Sequence, residues 1–190
     1  ATLSLTNCSL QTLTPNAFSL GNSSKLKQLY LQRNMIDTVD TLAFANLPML
    51  GTLDLSYNQL SQVPPALGQL YSLRTLRLSG NRIAALDTTS FSALFSAMLT
   101  TLYLDNNNIA TIAPNTFGKL SSLQVLLLHG NWLTYVNSSM FTSGSGGGLR
   151  YLTTLTLHTN RIARLAAQSF ASNSYQCICP AGYSGTNCAT

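Results

Sequence analysis

The feature that most constrains this chain is a leucine pattern that returns along almost its whole length. Its clearest copy runs from Leu26 to Ile36 and has the form LxxLxLxxNxI. Five complete copies follow it, and a partial copy with Cys8 in the asparagine position precedes it. Such a repeat predicts a solenoid, since one unit cannot bury its apolar side alone. The second leucine of each LxL unit lies at Leu5, Leu31, Leu55, Leu78, Leu104, Leu128 and Leu157, in steps of 26, 24, 23, 26, 24 and 29 residues.

Each position of the repeat predicts a place in one coil. The LxL unit predicts a short strand with both leucines inward and the residue between them outward, and neighbouring strands pair in parallel about 4.8 Å apart. The asparagine follows where the chain turns, because its amide both donates and accepts hydrogen bonds. A second apolar column lies ten residues after the asparagine, at Phe18, Phe44, Phe91, Phe117, Phe141 and Phe170, with Leu67 in the short step.

The seven copies resemble the typical leucine-rich repeats of animal extracellular proteins. That class includes Toll-like receptors, Slit-type proteins and the variable lymphocyte receptors of jawless vertebrates. The resemblance covers residues 1–172. It implies an α/β repeat solenoid, a curved horseshoe with a parallel β-sheet on its concave face and irregular, 3-10 or short helical segments on its convex side.

Residues 173–190 carry a different pattern, with Cys177, Cys179 and Cys188 among glycines. It resembles the last third of an EGF-like module, and that resemblance implies a disulfide between Cys179 and Cys188. Cys177 then lacks a partner unless it bonds another chain. We expect a partial module that caps the last coil, in preference to one with a function of its own, and we expect Cys8 to be a buried free thiol.

The cysteines and three glycosylation sequons indicate an oxidising, extracellular compartment. Asn22 and Asn137 lie on expected loops and are the better candidates, whereas Asn7 lies on the strand side. Charged residues make up 8% of the chain, and glutamate is absent. Because soluble domains carry about 25% charged residues, this surface must be built mainly from uncharged polar side chains, which suits a secreted protein or an ectodomain.

The outward strand positions predict a binding surface on the concave face. Its tyrosines offer large contact area with a polar tip, and Asp54 and Arg77 are expected to be exposed beside them or paired with each other. On this hypothesis, Tyr103→Ala and Asp54→Ala weaken ligand binding with little change in thermal stability. The predicted ligand-binding residues are Tyr30, Arg33, Asp54, Tyr57, Arg77, Tyr103, Asp105 and His129.

Asp105, His129 and His158 fall in one column on three consecutive coils. Metal binding or acid–base chemistry can be built from these residue types. The outer two would lie roughly 10 Å apart by strand spacing, so we predict no metal site and find a pH-sensitive patch slightly better supported.

The sequence favours an extracellular recognition domain that binds a protein, or a cell-surface or microbial glycan, with an innate-immune role suggested by the resemblance. The alternative is a structural or adhesive spacer in a larger matrix or cell-surface protein. No catalytic motif or phosphate-binding loop is present, so we expect no enzyme, no catalytic residues and no cofactor. The net charge of +5 comes from single basic residues spread along the chain. Without a block of basic residues to neutralise a row of phosphates, we expect no binding to nucleic acid. No apolar run reaches the 18 or so residues of a membrane span, and we expect a monomer.

Overall fold

The structure is a computed structural model that describes residues 1–19, 25–91, 98–142, 148–165 and 176–178. The strands in these ranges are short. In chain order they are β1 (Thr2–Ser4), β2 (Thr12–Leu13), β3 (Gln28–Tyr30), β4 (Thr38–Val39), β5 (Thr52–Asp54), β6 (Thr75–Arg77), β7 (Ala85–Leu86), β8 (Thr101–Tyr103), β9 (Thr111–Ile112), β10 (Val125–Leu127), β11 (Tyr135–Val136), β12 (Thr154–Thr156), β13 (Arg164–Leu165) and β14 (Gln176–Ile178).

The main sheet is parallel and has the order β1-β3-β5-β6-β8-β10-β12-β14. Each of the seven sequence copies supplies one of its first seven strands, which confirms the repeat solenoid. The eighth strand, Gln176–Ile178, lies in the segment with the EGF-like pattern and pairs with Thr154–Thr156. That segment therefore continues the sheet for at least one strand.

The register of the main sheet keeps like residues beside like. Leu53, for example, pairs with Leu29 on one side and with Leu76 on the other, and all three side chains are buried. A slip of one residue would turn these leucines to solvent. The residues on either side of each central leucine are in register in the same way and form rows that point outward. We call the surface made by these rows the concave face.

Buried asparagines tie each coil to the one before it. Asn107 shows the pattern: its Nδ2 donates to the carbonyl oxygens of Leu78 and Leu104, 2.9 and 3.1 Å away, and its Oδ1 accepts from the Ile83 N–H at 3.2 Å. This satisfies backbone groups that burial would otherwise leave unpaired. The same ladder is formed by Asn34, Asn58, Asn81, Asn131 and Asn160.

Cys8 occupies the asparagine position of the first coil, and the expectation of a buried thiol there is wrong. The side chain is exposed, and its Sγ–H donates to the Thr6 carbonyl oxygen at 3.3 Å. Each later asparagine is covered by the coil before it, whereas β1 is an edge strand of the described sheet, with β3 as its neighbour. The thiol therefore faces solvent.

The phenylalanine column packs behind the sheet as predicted. Phe91 stacks on Phe117 with ring centroids 5.6 Å apart, and Phe117 stacks on Phe141 at 5.9 Å. Leu67 fills the slot in the short coil and is buried. Phe170 lies outside the described residues.

Outside the main sheet, the described chain forms turns, two-residue strands and the 3-10 helices Pro65–Gln69 and Ser138–Met140, without an α-helix. This matches the irregular and 3-10 part of the expected convex side. In the described ranges, no helix is long and apolar enough to cross a membrane.

Candidate functional site

The outward side chains of the main sheet form straight rows across the coils, as the leucine spacing predicts. Tyr30 pairs with Asp54, and Asp54 pairs with Arg77. Arg77 in turn pairs with Tyr103. Neighbours in a row are therefore about 4.8 Å apart, which is the spacing of paired strands. In register order, the middle row is Ser4, Tyr30, Asp54, Arg77, Tyr103, Leu127, Thr156 and Ile178.

Arg77 packs on an aromatic ring in this row. Its guanidinium carbon lies 4.7 Å from the centroid of the Tyr103 ring, and Arg77 is exposed while Tyr103 is half-buried. A guanidinium over a tyrosine face is attracted by the ring quadrupole. The pair thus presents a flat aromatic surface and a cation held at a fixed position.

Asp54 does not belong to the exposed surface, so that expectation is wrong. Its side chain is 7% exposed, and its Oδ1 accepts a hydrogen bond from the Ser56 N–H at 2.9 Å. No ion pair forms between Asp54 and Arg77 within 4.0 Å, so the alternative of mutual pairing is also wrong. The carboxylate satisfies the turn at the end of its own strand.

The residue before each asparagine adopts a left-handed backbone conformation. The φ angles of this column lie between 54° and 67°, a region that costs a residue other than glycine about 1–2 kcal/mol. In this column, the Tyr57 ring lies against Gly80 of the next coil, and the Asn106 amide lies against Gly130. The column consists of Asn7, Arg33, Tyr57, Gly80, Asn106, Gly130 and Thr159.

Tyr57 uses this conformation to lie flat on Gly80. A Cβ added to Gly80 would come within 2.5 Å of the Tyr57 Cδ1, so the close approach needs glycine. Arg33 covers the same ring from the other side, with its guanidinium carbon 5.2 Å from the centroid. Tyr57 is 51% exposed despite these contacts. The sequence identified Tyr57 and Arg33 but missed Gly80, whose signal is a glycine in the column just before an asparagine.

Asp105 is held inside the concave face, at 8% exposure, and its expected place on the exposed ligand surface is wrong. Its Oδ1 accepts from the Ser79 hydroxyl at 2.7 Å, and its Oδ2 accepts from the Asn106 amide at 2.9 Å. The Nε2 of His129 lies 3.7 Å from the same Oδ2. Asp105 therefore joins three coils and orients His129.

His129 and His158 stack on each other, with ring centroids 4.5 Å apart and ring planes 13° from parallel. The Nδ1 of His129 lies 2.9 Å from the Thr156 hydroxyl oxygen. Burial lowers the pKa of His158 because it removes water from the charged imidazolium, and the neighbouring His129 lowers this pKa further by charge repulsion. The column thus presents a histidine pair with Asp105 at one end.

The predicted site residues fall into two groups on the concave face. The first group consists of two exposed cation–aromatic pairs, Arg33 with Tyr57 and Arg77 with Tyr103. Tyr30 of β3 belongs to the same group; it is half-buried and lies beside Asp54 of β5. The second group is the histidine column with buried Asp105. Within the described ranges, no three histidine, cysteine or acidic side chains are grouped to hold a metal ion.

Of the residues predicted to be glycosylated or to form a disulfide, the structure describes only Asn137. Asn137 is half-buried, and its Oδ1 accepts a hydrogen bond from the Ser139 hydroxyl at 2.6 Å. Its glycosylation stays a prediction. Asn22, Cys179 and Cys188 lie outside the described residues.

Comparison with known proteins agrees with this geometry. Podocan from Mus musculus is 31% identical over 172 residues, which cover 90% of this chain and 26% of that protein. Toll-like receptor 2 type-2 from Gallus gallus is 32% identical over 75% of this chain and 18% of that protein. The leucine-rich repeat-containing G-protein coupled receptor 5 of Rattus norvegicus is 38% identical over 80% of this chain and 16% of that receptor. The chain thus spans about a quarter or less of the length of these relatives.

Among solved structures, the crystal structure of a TLR13–ssRNA13 complex superposes with a TM-score of 0.68 at 26% identity, over 90% of this chain and 26% of that one. The family model described as "Leucine rich repeat" matches residues 1–60, 24–83, 71–133 and 97–146. These matches together cover most of the chain, which therefore belongs to the leucine rich repeat family.

Proposed function

We propose that this chain is an extracellular recognition domain that binds a protein ligand through the concave face. The observation that carries the proposal is the pair of exposed arginine–tyrosine stacks, Arg33 on Tyr57 and Arg77 on Tyr103. Tyrosine and arginine dominate the energetic centres of protein interfaces. Relatives that are named as receptors support the same role.

The stacks are held ready for binding before a ligand arrives. The register of parallel strands fixes Arg77 beside Tyr103, and the left-handed backbone with Gly80 fixes Tyr57. Side chains that are already ordered lose less entropy on binding. Tyr57 has a strained backbone and an exposed side chain outside the hydrophobic core, so it contributes little to stability. Such strain is found at binding sites, which supports a role for Tyr57 in binding.

The test is a double variant, Tyr57→Ala with Tyr103→Ala, probed on arrays of immobilised extracellular proteins, glycans and single-stranded RNA. We expect a protein partner whose affinity falls about tenfold or more in the variant, with the thermal midpoint nearly unchanged. Asp54 is unsuitable for this test because its carboxylate is buried and hydrogen-bonded.

The matched control is Tyr71→Ala with Tyr151→Ala, which removes two exposed tyrosines that lie outside the strands. We expect the control to bind as the unmodified chain does. If only a glycan or only an RNA loses affinity for the double variant, the ligand of the concave face is that molecule and not a protein. If no array partner responds to it, the spacer hypothesis takes the place of this proposal.

A further inference from the structure

A second exposed aromatic and cationic surface lies on the side of the solenoid, where the chain has left the main sheet. We call it the lateral patch and define it by Trp132, Tyr135, Arg161 and Arg164. Tyr135 of β11 pairs in parallel register with Arg164 of β13. Tyr135 is 43% exposed, whereas the next residue, Val136, is fully buried, so the outward positions of these strands carry the patch.

Trp132 and Arg161 form the other half of the patch. Each directly follows a ladder asparagine, and the Arg161 guanidinium carbon lies 5.0 Å from the centroid of the Trp132 ring. Trp132 is 46% exposed and is the single tryptophan of the chain. The earlier ladder asparagines are followed by Met35, Gln59, Arg82 and Asn108, so no requirement of the repeat places an aromatic residue there.

The backbone beneath the patch is well tied. The Arg161 N–H donates to the Leu133 carbonyl oxygen at 2.9 Å, and the Ala163 N–H donates to the Thr134 carbonyl oxygen at 3.1 Å. These bonds join the two coils along residues 133 and 134, between the two aromatic residues. The backbone of the patch is therefore fixed between the two coils, and the Arg161 guanidinium packs on the Trp132 ring.

The charged side chains in the part of the chain that carries the patch are all positive. Every acidic residue of the chain lies at or before Asp105, and Lys119, Arg150, Arg161 and Arg164 all follow it. Within the described ranges, neither Arg161 nor Arg164 has a carboxylate within 4.0 Å. Two guanidinium groups without an acidic partner are available to bind an anion.

From this arrangement we propose that the lateral patch binds a sulfated polysaccharide. The ring faces of Trp132 and Tyr135 suit the C–H faces of sugar rings, and the planar guanidinium groups of Arg161 and Arg164 suit the oxygens of sulfate. A stable protein interface needs about 800 Å² from each partner, with an apolar centre. Four side chains beside the small residues Thr134 and Ala163 offer a narrow strip, which fits a hydrated linear chain better.

The experiment uses a size-defined heparin oligosaccharide and the fluorescence of Trp132, which reports on the patch because the chain has one tryptophan. We expect a saturable change in emission that weakens as salt is added, since exposed charges are screened. The chemically desulfated oligosaccharide should not produce it. Polyglutamate of equal charge is the third probe, and it represents an acidic protein.

Arg161→Gln with Arg164→Gln should lower the affinity for the sulfated probe about tenfold or more. The control, Arg74→Gln with Lys119→Gln, removes two exposed cations elsewhere and lowers the net charge equally, from +5 to +3. It should change the affinity by no more than about threefold, because distant charges are screened. Trp132→Ala, followed by calorimetry, should also weaken binding.

Three outcomes would overturn the proposal. An equal loss in the control variant would mean that only net charge attracts the probe. Equal binding of polyglutamate would favour an acidic protein, and equal binding of the desulfated sugar would remove the role of the arginines. None of these outcomes bears on the concave face, whose residues lie on the main sheet and the turns that end its strands.

Discussion

At the scale of single residues, small differences within one repeat position decide what the surface can do. The position before the ladder asparagine is always left-handed, yet it holds a glycine in two coils and larger residues in the others. Gly80 lets the Tyr57 ring lie across the next coil, and Arg33 then covers that ring. The placement of Tyr57 in the candidate site therefore depends on the absence of a side chain at Gly80.

Gly80→Ala is expected to destabilise the fold by about 1–2 kcal/mol, because alanine is strained at a φ of +67°. It should also displace the Tyr57 ring, since the new Cβ would lie 2.5 Å from Cδ1. Urea unfolding measures the first effect, and the aromatic NMR shifts of Tyr57 measure the second.

Gly51→Ala is the control, because its Cβ would meet only ordinary contacts, the nearest at 3.7 Å. Its free energy of unfolding should change by less than about 0.5 kcal/mol. Equal destabilisation by the two substitutions would contradict the expected strain at Gly80, and unchanged Tyr57 shifts in Gly80→Ala would mean that close packing of the ring does not require this glycine.

At the scale of elements, neighbouring strands create contacts that no single repeat contains. His129 and His158 are 29 residues apart in the sequence, but their rings stack because β10 and β12 are paired. Asp105 contacts the outer side of this pair from the turn after β8. The histidine stack and its contact with Asp105 thus depend on the stacking of three neighbouring coils.

The lowered pKa of His158 predicts how stability changes with pH. Near the ordinary value of 6.5, the unfolded chain binds more protons at His158 than the folded chain does. The free energy of unfolding should therefore fall as the pH drops from about 7.5 through 6.5, until His158 is also protonated in the folded state. Urea unfolding at pH 7.5 and at pH 5.5 measures the difference.

His158→Gln should make that difference smaller. The lowered pKa of Asp87, which comes from hydrogen bonds with Thr89 and Ser90, acts below its ordinary value of 3.8 and stays outside this window. A pH dependence that is unchanged in the variant would show that other groups control it.

At the scale of the whole molecule, each coil contacts only its neighbours, and stability accumulates from one interface to the next. The central strands have partners on both sides, whereas β1 pairs only with β3. Leu102 of β8 is fully buried, and Leu3 of β1 is half-buried. The edge strands β1 and β14 are therefore expected to open more readily than the central strands of the described sheet.

Native-state hydrogen exchange should show this gradient. Hydrogen-bonded amides of β6 and β8 should exchange more slowly than those of β1, because opening a central strand disrupts two interfaces. The rates are read residue by residue by NMR in the unmodified chain. Equal protection along the sheet would instead indicate that the coils open as one cooperative unit.

The sequence by itself determined the solenoid, the strand register and the two buried columns, because leucine, asparagine and phenylalanine recur at positions that only this stacking can bury. It also placed Tyr57, Arg77 and Tyr103 on the outward rows. These are consequences of spacing, and spacing is visible without coordinates.

The tertiary structure decided which outward polar groups are free. Asp54 and Asp105 were expected on the surface, but hydrogen bonds to Ser56 and Ser79 hold them inside. Cys8 was expected inside, but its side chain is exposed in the coil of the edge strand β1. The lateral patch likewise required coordinates, since Trp132 and Arg161 meet only when adjacent coils are stacked. The physical reason is common to all these cases: exposure and partners are set by the neighbouring coil, and a repeat pattern describes one coil at a time.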